Sequence, residues 1–208
     1  MPLMWQKNLY MKEEIDVAQI GLKYLICAPV TETASTVTYA DGLVMSSAIK
    51  ADISIEINEG TLYGDDRIIE NIKEFKAGKV SLNGDHLSYE VLALLLGHHV
   101  ESITTGGGTK LTAKGDDDGS FVGVGFYATT IKDGARKYRA IWLHKVKFGI
   151  PNESLETKGD AINFQTPTIE GTVLTDILGV WKEEAIFDTE LKAKEWLDTL
   201  ADIGGVTE

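Results

Sequence analysis

Little in this sequence invites covalent chemistry. A single cysteine, Cys27 within Leu22-Lys23-Tyr24-Leu25-Ile26-Cys27-Ala28, rules out an intrachain disulfide and a thiolate metal cluster. Its surroundings read as a strand, where a lone cysteine acts as a small buried apolar side chain. No apolar run approaches the roughly 18 residues that a membrane-spanning helix needs, and the first residues lack the basic-then-apolar order of a secretory signal. A protein made and kept in the cytoplasm is expected. Basic charge is scarce as well: 20 Lys and Arg stand against 32 Asp and Glu, for a formal net charge of -12 and a pI near 4.8. That balance repels a polyphosphate and argues against tight, general nucleic-acid binding, although a wall past which DNA slides without sticking would profit from it.

The usual sites of catalysis and ligation are missing too. Gly106-Gly107-Gly108 is not followed by a Lys-Ser/Thr helix start, and Gly123 and Gly125 fall inside a strand pattern, so no phosphate cradle is implied. There is no Gly-x-Ser-x-Gly elbow. Asp116-Asp117-Asp118-Gly119 resembles the opening of a calcium loop, but Tyr127 stands where the bidentate Glu belongs, which leaves a solvated acidic loop. His98, His99 and Glu101 could supply ligands to a metal-dependent hydrolase, yet adjacent histidines on an extended backbone point opposite ways. These readings predict a protein that is not an enzyme and holds no cofactor or metal.

What is present is β-forming sequence in a chain of 208 residues, enough for one domain. Residues 1–20 read as an N-terminal arm, with Met1 to Tyr10 unlike the rest of the chain and Met11 an alternative start. Residues 21–208 read as a single domain, mainly β with two helices. Asp52-Ile53-Ser54-Ile55-Glu56-Ile57-Asn58 alternates strictly, as a strand with one buried face does, and Leu22 to Pro29 is its expected partner. Thr31 to Met45 reads as loop or edge. Residues 43–82 can form one long hairpin whose tip, Glu59-Gly60-Thr61-Leu62-Tyr63-Gly64-Asp65-Asp66-Arg67, reads as an exposed loop protruding over about residues 59–72.

Asp85 or Ser88 can cap a helix over Tyr89 to Leu96 that Gly97 ends, and Thr104 to Ser120 reads as a mobile loop. Asp133-Gly134 is a hairpin-turn signal between two β-rich runs spanning Phe121 to Phe148. Along the second run, Tyr138, Ala140, Trp142, Val146 and Phe148 fall on one face, with Lys137, Arg139, Lys145 and Lys147 forming a basic strip on the other. In an acidic homo-oligomer such a strip would meet a neighbour's acidic surface. A further strand is expected over Ala161 to Gln165, with Pro167 at an edge before a strand from Thr168 to Leu174. The chain closes with Asp188 as N-cap and an amphipathic helix from Leu191 to Leu200, with Ala193, Trp196, Leu197 and Leu200 buried and Gly204-Gly205 as the stop.

Several of these segments, in order, resemble the phi13-type major tail proteins (tail tube proteins) of phages and prophages of Gram-positive bacteria. They are Gly21-Leu22-Lys23-Tyr24, Glu56 to Asp66, Val122-Gly123-Val124-Gly125-Phe126-Tyr127, Arg136-Lys137-Tyr138-Arg139-Ala140 and Thr157 to Gly171. The resemblance covers most of the chain outside the first twenty residues and the C-terminal helix. It implies an antiparallel β-sandwich or half-barrel with a flanking helix, six copies to a ring and rings stacked into a tube in the virion tail. It also implies an acidic lumen that conducts DNA during ejection, and partners such as tape measure, tail terminator and distal tail proteins. The protruding loop, with Leu62, Tyr63, Asp65, Asp66 and Arg67, would then bridge to the next ring. Two other readings are the inner tube of a contractile particle such as a bacteriocin, and a carbohydrate-binding module of a phage baseplate with Trp142, Trp181 and Tyr138 as its stacking platform.

Overall fold

Alternating apolar and polar side chains, punctuated by turns, make antiparallel sheet the dominant structure of this chain. The computed structural model describes residues 18–132, 134–152, 157 and 166–204. Residues 1–17 of the expected arm, Asp133, the strand expected over Ala161 to Gln165, and Gly205 lie outside them. In chain order the elements are β1 (Ala18–Glu32), β2 (Val37–Tyr39), β3 (Leu43–Ser46), β4 (Ala48–Gly64), β5 (Arg67–Gly84), α1 (Tyr89–Leu96), β6 (His99–Ser102), β7 (Thr109–Thr112), β8 (Val122–Lys132), β9 (Ala135–Phe148), β10 (Thr168–Leu174), β11 (Lys182–Phe187) and α2 (Glu190–Ala201). The fold is mainly β and antiparallel.

The main sheet runs β2-β1-β8-β9-β10-β5-β4, with β3 beside β1 and β11 continuing along β9 where β10 stops. The expected pairing of the 52–58 strand with Leu22 to Pro29 is corrected: β4 pairs with β5, and β1 pairs with β8, β2 and β3. The sheet curls, because β4 at its far end returns to touch β1. Its concave face closes over one apolar core that includes Leu25, Val80, Leu82, Val124, Leu143 and Phe148, with α1 inserting Val91 and Leu95. On the opposite face, α2 covers a second core where Ala193, Leu197 and Ala201 meet Ile26, Tyr127, Ala140 and Trp142. Cys27 is fully buried in the first core, and burial pushes its thiol up to about 12.

Local signals fix both helices. Ser88 caps α1, its hydroxyl accepting the Val91 N–H at 3.3 Å, and Gly97 ends the helix in the left-handed region. Ser88→Ala is expected to cost about 1 kcal/mol, the usual value of an N-cap hydroxyl, read as a lower urea midpoint at unchanged slope. The cap of α2 is Thr189 and not Asp188, whose carboxylate instead pairs with Lys137. The helix stops at Asp202, itself left-handed, before Gly204 is reached. Ala193 and Leu197 are buried as expected, with Ala201, whereas Trp196 and Leu200 are half-buried at the margin.

The expected mobile loop over Thr104 to Ser120 contains β7, which pairs with β6 in a separate two-stranded sheet. The acidic run after it is not simply solvated. Asp117 accepts the Lys114 N–H at 2.8 Å and lies 2.9 Å from His98 Nδ1, and Asp118 pairs with Lys147 at 2.6 Å.

Candidate assembly surface

Strands β4 and β5, of 17 and 18 residues, are far longer than the three to ten usual in globular sheets. Only Gly78 to Asn83 of β5 pairs with β10, so among the described residues the stretch from Ile57 to Phe75 is a two-stranded ribbon with no further strand beside it. The exposed tip loop expected over Glu59 to Arg67 is therefore corrected. Gly64 pairs with Arg67 around a two-residue turn, and Asp65 and Asp66 both take positive φ, 50° and 59°, as a type I′ turn requires. Leu62, Tyr63 and Arg67 sit in the strands, while Asp65 and Asp66 alone make the turn.

The register assigns the ribbon's side chains to faces. On one face Ile57 lies opposite Phe75, followed outward by Glu59 opposite Lys73, Thr61 opposite Asn71, and Tyr63 opposite Ile68. Glu59 and Lys73 pair at 3.3 Å, and Asn71 donates to both Glu59 and Thr61. The other face carries Leu62 and Ile72, and a bulge adds Ile69, packed so closely over Gly64 that a Cβ there would meet it at 2.3 Å. The outer end is thus apolar on both faces. Leu62, Tyr63, Ile68, Ile69 and Ile72 are each 50–67% exposed. A lone two-stranded ribbon is marginally stable in water, and apolar side chains clustered at its end have no cover within the chain. Ile68, Ile69 and Ile72 were missed in the sequence, although apolar residues recurring on both sides of an acidic turn were the available signal.

The four cations expected as a basic strip do not share a face. Val122 pairs with Val146 and Val124 with Leu143, which leaves one extra residue in β9 and reverses its alternation. Tyr138, Ala140 and Trp142 accordingly face α2, while Val146 and Phe148 turn into the other core with Ile141 and Leu143. Lys137 and Arg139 are separated from Lys145 and Lys147 in the same way. Each has a carboxylate in its own chain: Lys137 binds Asp188, Arg139 grips Glu184 through two nitrogens at 2.7 and 2.9 Å, Lys145 binds Glu32 and Lys147 binds Asp118. These pairs tie strands and loops together within one copy.

A related set anchors α2. Tyr24 and Tyr127 donate to Asp198 and Glu190, and Lys23 meets Glu190 at 3.0 Å. Burial and the neighbouring carboxylates push both phenols up, while the hydrogen bond from Tyr127 and then Lys23 holds Glu190 below its ordinary value. Asp188 is lowered by Lys137, and Glu184 is lowered because hydrogen bonds from Lys182 and Arg139 outweigh its desolvation. Carboxylates with lowered folded values stabilise the fold above their ordinary values, 4.5 for Glu and 3.8 for Asp, and lose that contribution as pH falls through the folded values. Unfolding free energy followed from pH 6 to about pH 3 should therefore fall more steeply for the wild type than for Glu190→Gln; comparing the two largely cancels the effect of the chain's overall acidity.

The remaining candidate residues lie elsewhere. His98 is bound to Asp117, His99 begins β6 with its side chain exposed, and Glu101 pairs with Lys110 at 2.6 Å, so the three are not brought together. Trp142 is fully buried and Trp181 stacks on Phe75 at 4.8 Å between centroids, so Trp142, Trp181 and Tyr138 form no exposed platform. A pair the sequence did not suggest is His144 and Asp176, 2.8 Å apart and buried; Asp176 also accepts the Leu178 and Val180 N–H groups and so pins the loop between β10 and β11. No helix among the described residues is long and apolar enough to cross a membrane. Neither the protein-family models nor the curated proteins contain a match to this chain.

Proposed function

We propose that this chain is a structural subunit that works by self-assembly, and specifically a tail tube protein of a phage or prophage whose stacked rings enclose a channel for DNA. The observation that carries the reading is the β4–β5 ribbon, which projects beyond the sheet and ends in five exposed apolar side chains. An apolar tip held away from its own core is a surface built to be covered by another molecule. The resemblance of the Glu56 to Asp66 segment to tail tube proteins makes that molecule another copy.

Two further properties support it. Among the described residues β4 pairs on one side only, with β5, and β2 and β3 lie along the opposite margin, so joining copies edge to edge would remove strand edges that otherwise aggregate. Of the cations along β9, Lys137, Arg139, Lys145 and Lys147 are already paired with carboxylates of their own chain, and the chain as a whole carries a net charge of -12, which suits a channel wall that repels DNA. Negative-stain electron microscopy of the purified full chain, dilute and concentrated, with its mass by light scattering, tests the proposal. Hollow rings or tubes are expected. A monomer at every concentration, alone and with co-expressed tail components, would refute it.

A further inference from the structure

The curled sheet leaves a groove at the end away from α1, where the base of β4 faces β8 and β9. It is an open groove of about 640 Å³ lined by both apolar and charged side chains. Its floor is Phe126 and Ile141, both buried, and its rim carries Ile49 and Ile55, which are 52% and 41% exposed. Lys50, Arg139 and Lys182 also line it; Lys50 pairs with Asp52 at 2.5 Å, while Arg139 and Lys182 share the one carboxylate of Glu184 at 2.7 and 2.5 Å, so the paired groups leave a single positive charge in excess.

We propose that this groove receives the ribbon tip of a second copy, in a deepening of the self-assembly reading on which it rests. Three properties match. The tip is apolar on both faces, which suits a groove with two walls and not a flat surface. The tip is anionic, with Asp65, Asp66 and Glu70 against Arg67, where the groove has one cation in excess. A chain's own tip cannot fill its own groove, because ten residues of paired strand between Ile55 and Asp65 hold them about 33 Å apart. Tip and groove are different surfaces of one molecule, so the contact is head-to-tail and propagates into rings or filaments without a symmetric dimer.

Disulfide trapping tests this in the full chain, whose native Cys27 is fully buried and does not compete. One variant carries Leu62→Cys and Ile49→Cys; a control carries Leu62→Cys and Leu191→Cys, the latter 64% exposed on α2. Within one copy the 62 and 49 positions are too far apart along β4 for a disulfide, which needs Cα atoms about 4.4–6.8 Å apart. Mild oxidation under associating conditions should give the first variant a ladder of dimer, trimer and higher bands on a non-reducing gel, and the control none. Light scattering of each variant before oxidation separates the two claims. A rise in mass with the ladder confined to the control, or with no ladder, or with tip-to-tip dimers from Leu62→Cys alone, overturns the groove and leaves self-assembly standing. Monomeric mass of the wild-type chain, measured alongside the variants under the same conditions, overturns both.

Discussion

A chain carrying Leu62→Ser and Ile69→Ser should fold as the wild type does and fail to assemble. The two side chains lie on one face of the ribbon beside Ile72, and are 56% and 63% exposed. Truncating side chains that touch solvent changes monomer stability by no more than about 0.5 kcal/mol, so the melting temperature should barely move. Covering a Leu or Ile in an interface is worth about 1.5–3 kcal/mol, and losing two should weaken each contact by roughly 4 kcal/mol. That corresponds to about a thousandfold in the association constant, read as a rise in the concentration at which the scattering mass departs from the monomer. An unmoved threshold would show that the tip is not the contact. A melting temperature lowered by several degrees would show that the tip packs on its own chain.

The ribbon also shows where sequence and structure part. Gly60, Gly64 and three consecutive charged residues read as a loop, since each local preference disfavours a strand. Pairing overrides them: Gly60 stands in the ladder opposite Ile72, and Gly64 leaves the space that Ile69 fills. Cross-strand partners stabilise a sheet more than the residues' own propensities do, and those partners lie across the turn. The signals that carried over are local ones. The Ser88 hydroxyl and Gly97 bound α1, Gly134 takes the positive φ of a hairpin turn where Lys132 of β8 pairs with Ala135 of β9, and the apolar stripe of α2 packs as its period requires.

The basic strip failed for a different reason. A run of alternating residues defines two faces only while the register is unbroken, and one extra residue near His144 exchanges them. Nothing in the run itself marks that residue; its cause lies in the neighbours, where the Tyr39 hydroxyl donates to the His144 carbonyl and the His144 N–H reaches Trp181. The carboxylates that pair with Lys137, Arg139, Lys145 and Lys147 come from three separate segments: Glu32 from β1, Asp118 from the loop before β8, and Glu184 and Asp188 from β11 and its end. Pattern along one strand therefore located the charges and missed their partners, and with the partners known the four cations no longer form one strip.

Trp142→Ala should be the most destabilising single change, and its effect should depend on Gly125. The indole is fully buried, meets the Tyr39 ring edge-on at 5.0 Å and lies in the core that α2 covers. Large-to-small truncation of a buried Trp costs about 3–5 kcal/mol, much of a typical domain's net 5–15 kcal/mol. The ring lies flat across β8 because that strand is glycine where it passes: a Cβ at Gly123 would sit 2.3 Å from the indole, and one at Gly125 2.7 Å. Gly125→Ala alone should therefore overpack the site and cost about 1–3 kcal/mol. With the ring gone, the added methyl fills part of the cavity, and the double variant should be more stable than the sum of the single losses by about 1 kcal/mol or more. Urea unfolding of the four proteins gives the cycle. Simple additivity would mean that these glycines serve the backbone and not the tryptophan.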